Sequence, residues 1–169
     1  MAKKEAPKLE TERLILRRRL EEDIPSMMKL FNDDQVRQYL GGYPPCDRHS
    51  MLRIIRYRTP VEWHVLDKKT GRYMGECGLN KVVDDYLGEV SYLFLPRYWG
   101  KGYAQEAMEA VISHCRDNLQ LKRLCALIDQ KNERSRKLAE KLDFALVALI
   151  PEGDFGGRVA DIAYYARPI

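Results

Sequence analysis

Hydrophobic positions along the chain change period several times, and each change marks an element. "RLILR" from Arg13 alternates apolar and polar residues, which predicts a first strand. In "EEDIPSMMKLF", Ile24, Met27, Met28 and Phe31 recur at helical spacing, with Asp23 as N-cap and Pro25 in the first turn. "GGYPP" at Gly41 interrupts the pattern, and a short basic helix is expected over "HSMLRIIRYR". "EWHVLD" and "RYMGECGLN" predict a hairpin around "KKTG"; "DDYLG" then turns the chain into a further strand, "EVSYLFL".

The second half is more regular. Ala104, Ala107, Met108, Val111, Ile112, Cys115 and Leu119 form one apolar stripe of a helix, with Gln105, Glu106, Glu109, Ser113 and Arg116 turned outward. "LKRLCALID" is nearly continuous in apolar residues, as expected of a strand covered on both faces. "NERSRKLAEKL" predicts another helix, capped by Asn132, with Glu133 and Lys137 paired one turn apart. "DFALVALI" and "RVADIAYYAR" close the chain as a hairpin across the turn "PEGDFGG". The order β-α-α-β-β-β-α-β-α-β-β predicts an α/β (α+β) protein, a mixed sheet with helices on its faces.

Composition narrows the partners. At 169 residues the chain is expected to form one domain over 1–169, large enough for a real core. A balance of 29 Lys+Arg against 25 Asp+Glu gives +4, too weak to argue for nucleic acid and suited at most to small anionic ligands. The basic segment with Arg48, Arg53, Arg56 and Arg58 has few aromatics for stacking on bases, so nucleic-acid binding is not expected. "MAKKEAPK" has no apolar core of a secretory signal, and "FALVALI" is far too short to span a membrane, so a cytoplasmic protein is expected. Cys46, Cys77, Cys115 and Cys125 show no metal-binding or redox spacing and are expected to be reduced and mostly buried.

Candidate chemistry sits in "LFLPRYWGKGYA", which runs from the end of a strand into the start of a helix. A helix N-terminus carries unpaired N–H groups and partial positive charge. Gly100 and Gly102 allow close backbone approach and positive φ, while Arg97 and Lys101 add charge, so the turn can cradle a phosphate. It is not a Walker loop, since position 95 is Leu and no Ser or Thr follows Lys101. Nor is it a dinucleotide fingerprint, since position 105 is Gln. On the turn alone, a plain helix cap with a surface lysine remains the alternative.

"RYWGKGYA" resembles the Arg/Gln-x-x-Gly-x-Gly/Ala signature of the GNAT superfamily of acetyl-CoA-dependent N-acyltransferases. "LETERLILRR", "GEVSYLFLPRYWGKGYAQEAM", "NERSRKLAEKLDF" and "DIAYYA" resemble, in order, its RimJ/RimL-like branch, which includes acetyltransferases of ribosomal-protein N-termini and of small-molecule amines. The resemblance implies a GNAT fold: a mostly antiparallel sheet of about seven strands, splayed in the middle and flanked by about four helices. It implies acetyl-CoA as co-substrate and no metal. Backbone N–H groups from Arg97 through Tyr103, with Gly100, Lys101, Gly102 and Ala104 at the helix start, would bind the pyrophosphate. The pantetheine arm would pair with the splayed strand near Phe94 and Leu95. Asn132 would contact the cofactor as well as cap its helix, and Ser135 would lie beside the thiol. Arg134 and Lys137 would meet the adenosine phosphate or form a solvated helix face.

For catalysis, an amine resembling lysine, with pKa about 10.4, must lose a proton before it attacks a thioester. Glu89 opens "EVSYLFL", shares a face with Ser91 and Leu93, and matches a glutamate common in the branch, so it is the candidate base; a solvent-facing edge charge is the alternative. His64 and His114 are weaker candidates. By family analogy a backbone N–H of the splayed strand would stabilise the oxyanion. Two departures stand out. The tyrosine that many members carry seven residues after the asparagine, as acid for the thiolate, is Ala139, leaving Ser135 as the nearest hydroxyl of the motif; the family's glycine before the phenylalanine is Asp143. The acceptor, a protein N-terminus or a small-molecule amine, would be shaped by "LGGYPPCDRHS" and "VVDDYLG", where Asp84 and Asp85 could attract a cation. A GNAT-fold module that holds CoA without turnover is the competing function, and assembly into a homodimer stays open.

Overall fold

The computed structural model describes residues 6–57, 61–83 and 86–169, so Arg58, Asp84 and Asp85 lie outside the described residues. The strands are β1 (Leu9–Glu10), β2 (Leu14–Arg17), β3 (Glu62–Asp67), β4 (Tyr73–Val82), β5 (Leu87–Phe94), β6 (Arg123–Asp129), β7 (Ala145–Phe155) and β8 (Arg158–Pro168). The helices are α1 (Ile24–Phe31), α2 (Asp34–Arg37), α3 (Arg48–Tyr57), α4 (Tyr103–Asp117) and α5 (Glu133–Lys141). One sheet holds all the strands, in the order β1-β2-β3-β4-β5-β6-β8-β7.

Two elements exceed the sequence expectation, and both are too short to show a period. β1 is a two-residue strand paired with β2. α2 is a single turn, held by the Asp33 carboxylate accepting from the Gln35 and Val36 N–H groups. The last hairpin is also longer than expected. β7 continues through "PEGDF" to Phe155, and Gly156 and Gly157, both at positive φ, make the turn. Pro151 is tolerated there because β7 is an edge strand, and the register shifts between Ile150 and Gly153.

Every neighbouring pair is antiparallel except β5 and β6, which are parallel and need the α4 crossover between them. Their pairing covers only Leu87↔Arg123, Gly88↔Leu124 and Glu89↔Cys125. Beyond it β5 stays with β4, to Phe94 opposite Gly75, while β6 stays with β8, to Asp129 opposite Ile162. The sheet therefore divides just past Glu89. Gly88 seals the closed end of the division: a Cβ there would meet the Leu79 and Leu121 side chains at 2.8 and 2.9 Å.

Helices cover both faces. Ala107, Met108, Val111, Ile112 and Cys115 of α4 pack on Leu14, Leu16, Val65, Leu79, Val90 and Phe94. On the other face Ile24, Met27 and Leu30 of α1 pack with Met51 of α3. Burying each Val, Leu, Ile, Met or Phe among these contributes roughly 1.5–3 kcal/mol, which fixes the helices against the sheet. Cys77, Cys115 and Cys125 are buried thiols and Cys46 is half-buried. Among the described residues no helix is long and apolar enough to cross a membrane, and no group of His, Cys, Asp and Glu could hold a metal.

Candidate active site

After β5 the chain makes a 3-10 turn over Pro96–Tyr98, then passes Gly100 (φ 72°) and Gly102 (φ 80°) into α4. The turn consumes two of the expected cradle donors, since the Tyr98 N–H goes to Leu95 O and the Trp99 N–H to Pro96 O. The first-turn donors of α4, from Tyr103 onward, have no acceptor within the helix. The Tyr98 and Trp99 N–H groups are thus taken, and the backbone left to meet an anion centres on Gly100–Ala104. Phe94 and Leu95 also have partners: Trp99 Nε1 donates to Phe94 O at 2.6 Å and Leu95 N–H to Met74 O at 3.0 Å.

A clasp holds this turn from behind, and it was not foreseen. Glu106, expected to face outward, accepts from Thr11 Oγ1, from the Arg13 N–H at 2.8 Å and from Arg13 Nε at 2.6 Å. Arg13 also donates to Lys101 O at 3.1 Å, and its guanidinium lies 4.3 Å from the centre of the Tyr103 ring. Burial pushes the Glu106 carboxyl up, but the Thr11 and Arg13 hydrogen bonds outweigh it and hold it below the usual range. The N-terminal strand region thereby braces the glycine turn across more than ninety residues of chain.

Two cavities flank the division of the sheet. The smaller, about 320 Å³, is lined by Trp99, Gly100, Gly102, Tyr103 and Ala104 on one side and by Arg134, Lys137 and Lys141 of α5 on the other. Arg97 and Lys101 do not line it; Lys101 Nζ donates to Arg97 O instead. Arg134 sits 3.9 Å from the centre of the Trp99 ring. The cations that face the cavity are therefore those of α5, although Lys137 also forms its expected pair with Glu133, at 4.0 Å. The larger cavity, about 650 Å³, is lined by Glu89, Ser91, Asn80, Glu62, Glu76 and Arg19, and is bounded by the 39–46 loop and the β7–β8 tip. The two cavities share Tyr39, Tyr92, Leu93, Asn132 and Ser135.

The shared residues come together at the split. Asn132 caps α5, its Oδ1 accepting from the Ser135 N–H at 3.2 Å. Tyr92 lies on the face opposite Glu89 and reaches α5, where its hydroxyl is 2.8 Å from Ser135 Oγ and 3.0 Å from Ser135 O. Burial pushes the Tyr92 phenol up to about 12, against a Ser135 hydrogen bond that lowers it. Sequence reading missed Tyr92, although alternation in "EVSYLFL" put it on the face opposite Glu89, where a hydroxyl shielded from water needs a partner. Glu89, on the other face, accepts from Asn80 Nδ2 at 2.9 Å. Ala139, at the usual tyrosine position, is buried in the core, and Asp143 takes φ 60°, the conformation a glycine favours after a helix.

A row of charge supports the floor of the larger cavity. Register places Arg17, His64, Glu76 and Leu93 side by side across β2 to β5. Asp23 stands at the N-cap of α1 but its side chain makes no cap; it takes both Arg17 terminal nitrogens at 2.7 Å and the Leu20 N–H at 2.8 Å. Glu76, 2% exposed, accepts from Arg19 Nε at 2.7 Å and Tyr73 OH at 2.9 Å, with His64 Nδ1 at 2.8 Å. Burial opposes the Glu76 charge, but Arg19 and His64 outweigh it and keep this carboxyl below its ordinary range. Arg19 also pairs with Glu62. His64 is locked inside this network and His114 is buried edge-on against Trp63, and neither lines either of these two cavities.

Comparison with known proteins agrees with this geometry. Residues 13–145 match the acetyltransferase (GNAT) domain family. The Bacillus subtilis protein YkkB is 32% identical over 145 residues, covering 80% of this chain and 83% of its own. N-acetyltransferase p20 of Bacillus licheniformis is 28% identical over 168 residues, covering 94% of each. Among solved structures, RimL, a ribosomal L7/L12 alpha-N-protein acetyltransferase in complex with coenzyme A, superposes with a TM-score of 0.81 at 17% identity, covering 96% of this chain and 98% of that one. The chain therefore belongs to the GNAT acetyltransferase family and is an N-acyltransferase with acetyl-CoA as its donor.

Proposed function

We propose that the protein transfers an acetyl group from acetyl-CoA to a primary amine, a protein N-terminus or a small molecule, by direct attack in a ternary complex. The observation that carries this reading is the meeting of the two cavities at Tyr92, Leu93, Asn132 and Ser135, where the sheet divides. A donor held in the smaller cavity has its thioester end at that junction, and an amine in the larger one reaches it without a covalent enzyme intermediate. The residues fit the donor. Backbone donors at Gly100–Ala104 suit the pyrophosphate, Arg134, Lys137 and Lys141 suit phosphate, and beyond Glu89 the β6 side of β5 has no strand partner among the described residues, leaving an edge for the pantetheine amides.

In this reading Glu89 removes a proton from the acceptor ammonium, directly or through a water, a contribution of typically ~10²–10⁴ in rate. A main-chain N–H of the unpaired β5 edge takes the developing oxyanion. Ser135 donates to the departing sulfur. Similarity to RimL and the sequence motifs support the RimJ/RimL-like branch and, with it, a cytoplasmic enzyme. The test is incubation with acetyl-CoA and panels of peptides and small amines, following free thiol and acetylated product together. Amine-dependent thiol release with a matching product is expected. Tight CoA binding with no product from any amine, or thiol release indifferent to amine, would favour a CoA-holding module without turnover.

A further inference from the structure

We infer that Tyr92 is a positioning residue for the leaving group: its hydroxyl turns the Ser135 hydroxyl toward the sulfur as the acyl group departs. The inference rests on the acetyl-transfer reading above and extends it to a residue that the motif does not name. A phenol has one proton, and at this site it faces two acceptors, Ser135 O at 3.0 Å and Ser135 Oγ at 2.8 Å. When the Tyr92 proton goes to the Ser135 carbonyl, Ser135 must donate its own proton back to the Tyr92 oxygen and has none to offer elsewhere. When the Tyr92 proton goes to Ser135 Oγ, the Ser135 proton is released to point outward, into the junction of the two cavities.

The second arrangement is the one a nascent thiolate favours. As the amine nitrogen bonds to the acyl carbon and the C–S bond breaks, the electron pair goes to sulfur, and the Ser135 O–H donates to it. The Tyr92 O–H swings from the carbonyl to Ser135 Oγ, and the two hydrogen bonds polarise each other. No proton needs to leave Tyr92: a phenol, with pKa about 10, is a weaker acid than a thiol with pKa about 8.5, so the chain works by hydrogen bonding and solvent later protonates the thiolate. The arrangement fills the place of the absent tyrosine. Position 139 is an alanine packed into the core, while Tyr92 and Ser135 come from two different elements and meet at the division of the sheet.

The test compares Tyr92→Phe, Ser135→Ala and the double variant, each checked for a native melting point and for CoA binding. Phenylalanine keeps the packing and removes only the hydroxyl. Each single variant is expected to lower kcat roughly 5–30-fold, the worth of one neutral hydrogen bond, with KM for acetyl-CoA nearly unchanged. Because Tyr92 acts through Ser135, the double variant should be no more than about twofold slower than the worse single one. A second readout needs no acceptor. CoA should bind the wild type more tightly as pH rises through the thiol pKa, since the hydroxyls favour the thiolate. That rise should flatten in both variants, and desulfo-CoA should show none in any of them. Tyr92→Phe with full kcat and an unchanged pH dependence of CoA binding overturns the inference, as do single effects that multiply in the double variant. If the wild type acetylates no amine, the acetyl-transfer reading falls and this inference with it; wild-type turnover with an unimpaired Tyr92→Phe overturns only the inference.

Discussion

Replacing Gly102 with valine separates the cradle from mere helix capping. Gly102 holds the N-cap position of α4 at φ 80°, ψ 0°, in the left-handed region. An L-residue there costs roughly 1–2 kcal/mol, which in a domain of this size lowers the melting point by roughly 2–8 °C. The added Cβ itself finds room, its nearest neighbour being an Arg13 terminal nitrogen at 3.4 Å, so overpacking adds little to that strain. What the branched side chain does change is the space over the first-turn N–H groups, where an anion must come close. CoA at about a hundred times its Kd should stabilise the wild type by about 2.7 kcal/mol, a rise of roughly 5–11 °C. In Gly102→Val that rise should vanish. Gly71→Val is the control: Gly71 has φ 67° in the β3–β4 turn with no atom within 4 Å of its added Cβ, so it carries the same strain without lining the smaller cavity. It should melt lower yet keep the full CoA-induced rise. Thermal melts of the three proteins, each with and without CoA, decide the matter. A full rise in Gly102→Val, or its loss in Gly71→Val, would refute the cradle.

Three further outcomes follow from the site. Glu89→Gln should leave CoA affinity nearly unchanged while kcat falls on the order of 10²-fold at neutral pH, the defect shrinking at high pH where free amine is plentiful; full turnover at neutral pH would move the base elsewhere. Arg13→Met removes the Glu106 pair and the bond to Lys101 O behind the turn, so KM for acetyl-CoA should rise roughly 5–30-fold with kcat little changed, and a normal KM would make the clasp irrelevant to donor binding. Glu76 has a folded-state pKa below its unfolded value, so its stabilisation is present above about pH 4.3 and is lost as pH falls through the lower, folded value; Glu76→Gln should cost roughly 3–5 kcal/mol in denaturant melts at neutral pH, a gap that narrows in acid, and a gap constant with pH would refute the ionic account.

The legible parts of the molecule were those where one periodicity or one local motif decides the structure. The α4 stripe from Ala104 to Cys115, the Asn132 cap and the strand-to-helix glycine turn each depend on residues within a few positions of one another and stand where the pattern put them; Leu119, expected on the stripe, falls past the end of α4 at Asp117. The misread residues have roles set by partners far along the chain. Glu106 looks like an outward glutamate until Arg13, 93 positions earlier, comes beside it through the sheet. Asp23 has the right type and place for a cap, yet Arg17 offers a bidentate partner, and a charged pair in a half-buried setting outweighs one N-cap bond. Arg134 and Lys137 do stand on the exposed face of α5, as expected, but they also line the smaller cavity opposite Trp99 and Gly100, which nothing local announces.

The same logic explains why chemistry at the junction could be only half seen. Glu89 and Ser135 lie in segments that carry family signatures, so each was visible by itself, but their relation depends on where β5 parts from β6. That point is set by three residue pairs, Leu87 to Glu89 against Arg123 to Cys125, and no pattern in either strand announces that pairing stops there. Once it stops, alternation along β5 acquires a functional meaning that it lacks in an ordinary strand. Glu89 and Ser91 turn toward the larger cavity, whereas Tyr92 turns toward α5, so in the proposed reaction a single strand would deliver a carboxylate to the acceptor side and a hydroxyl to the leaving-group side. Shifting the register of β5 by one residue would exchange those faces and put the carboxylate against α5. The buried network of Arg19, Glu76 and His64 beside β5 works against such a slip, because Glu76 stands opposite Leu93 and its partners fix β4 in turn.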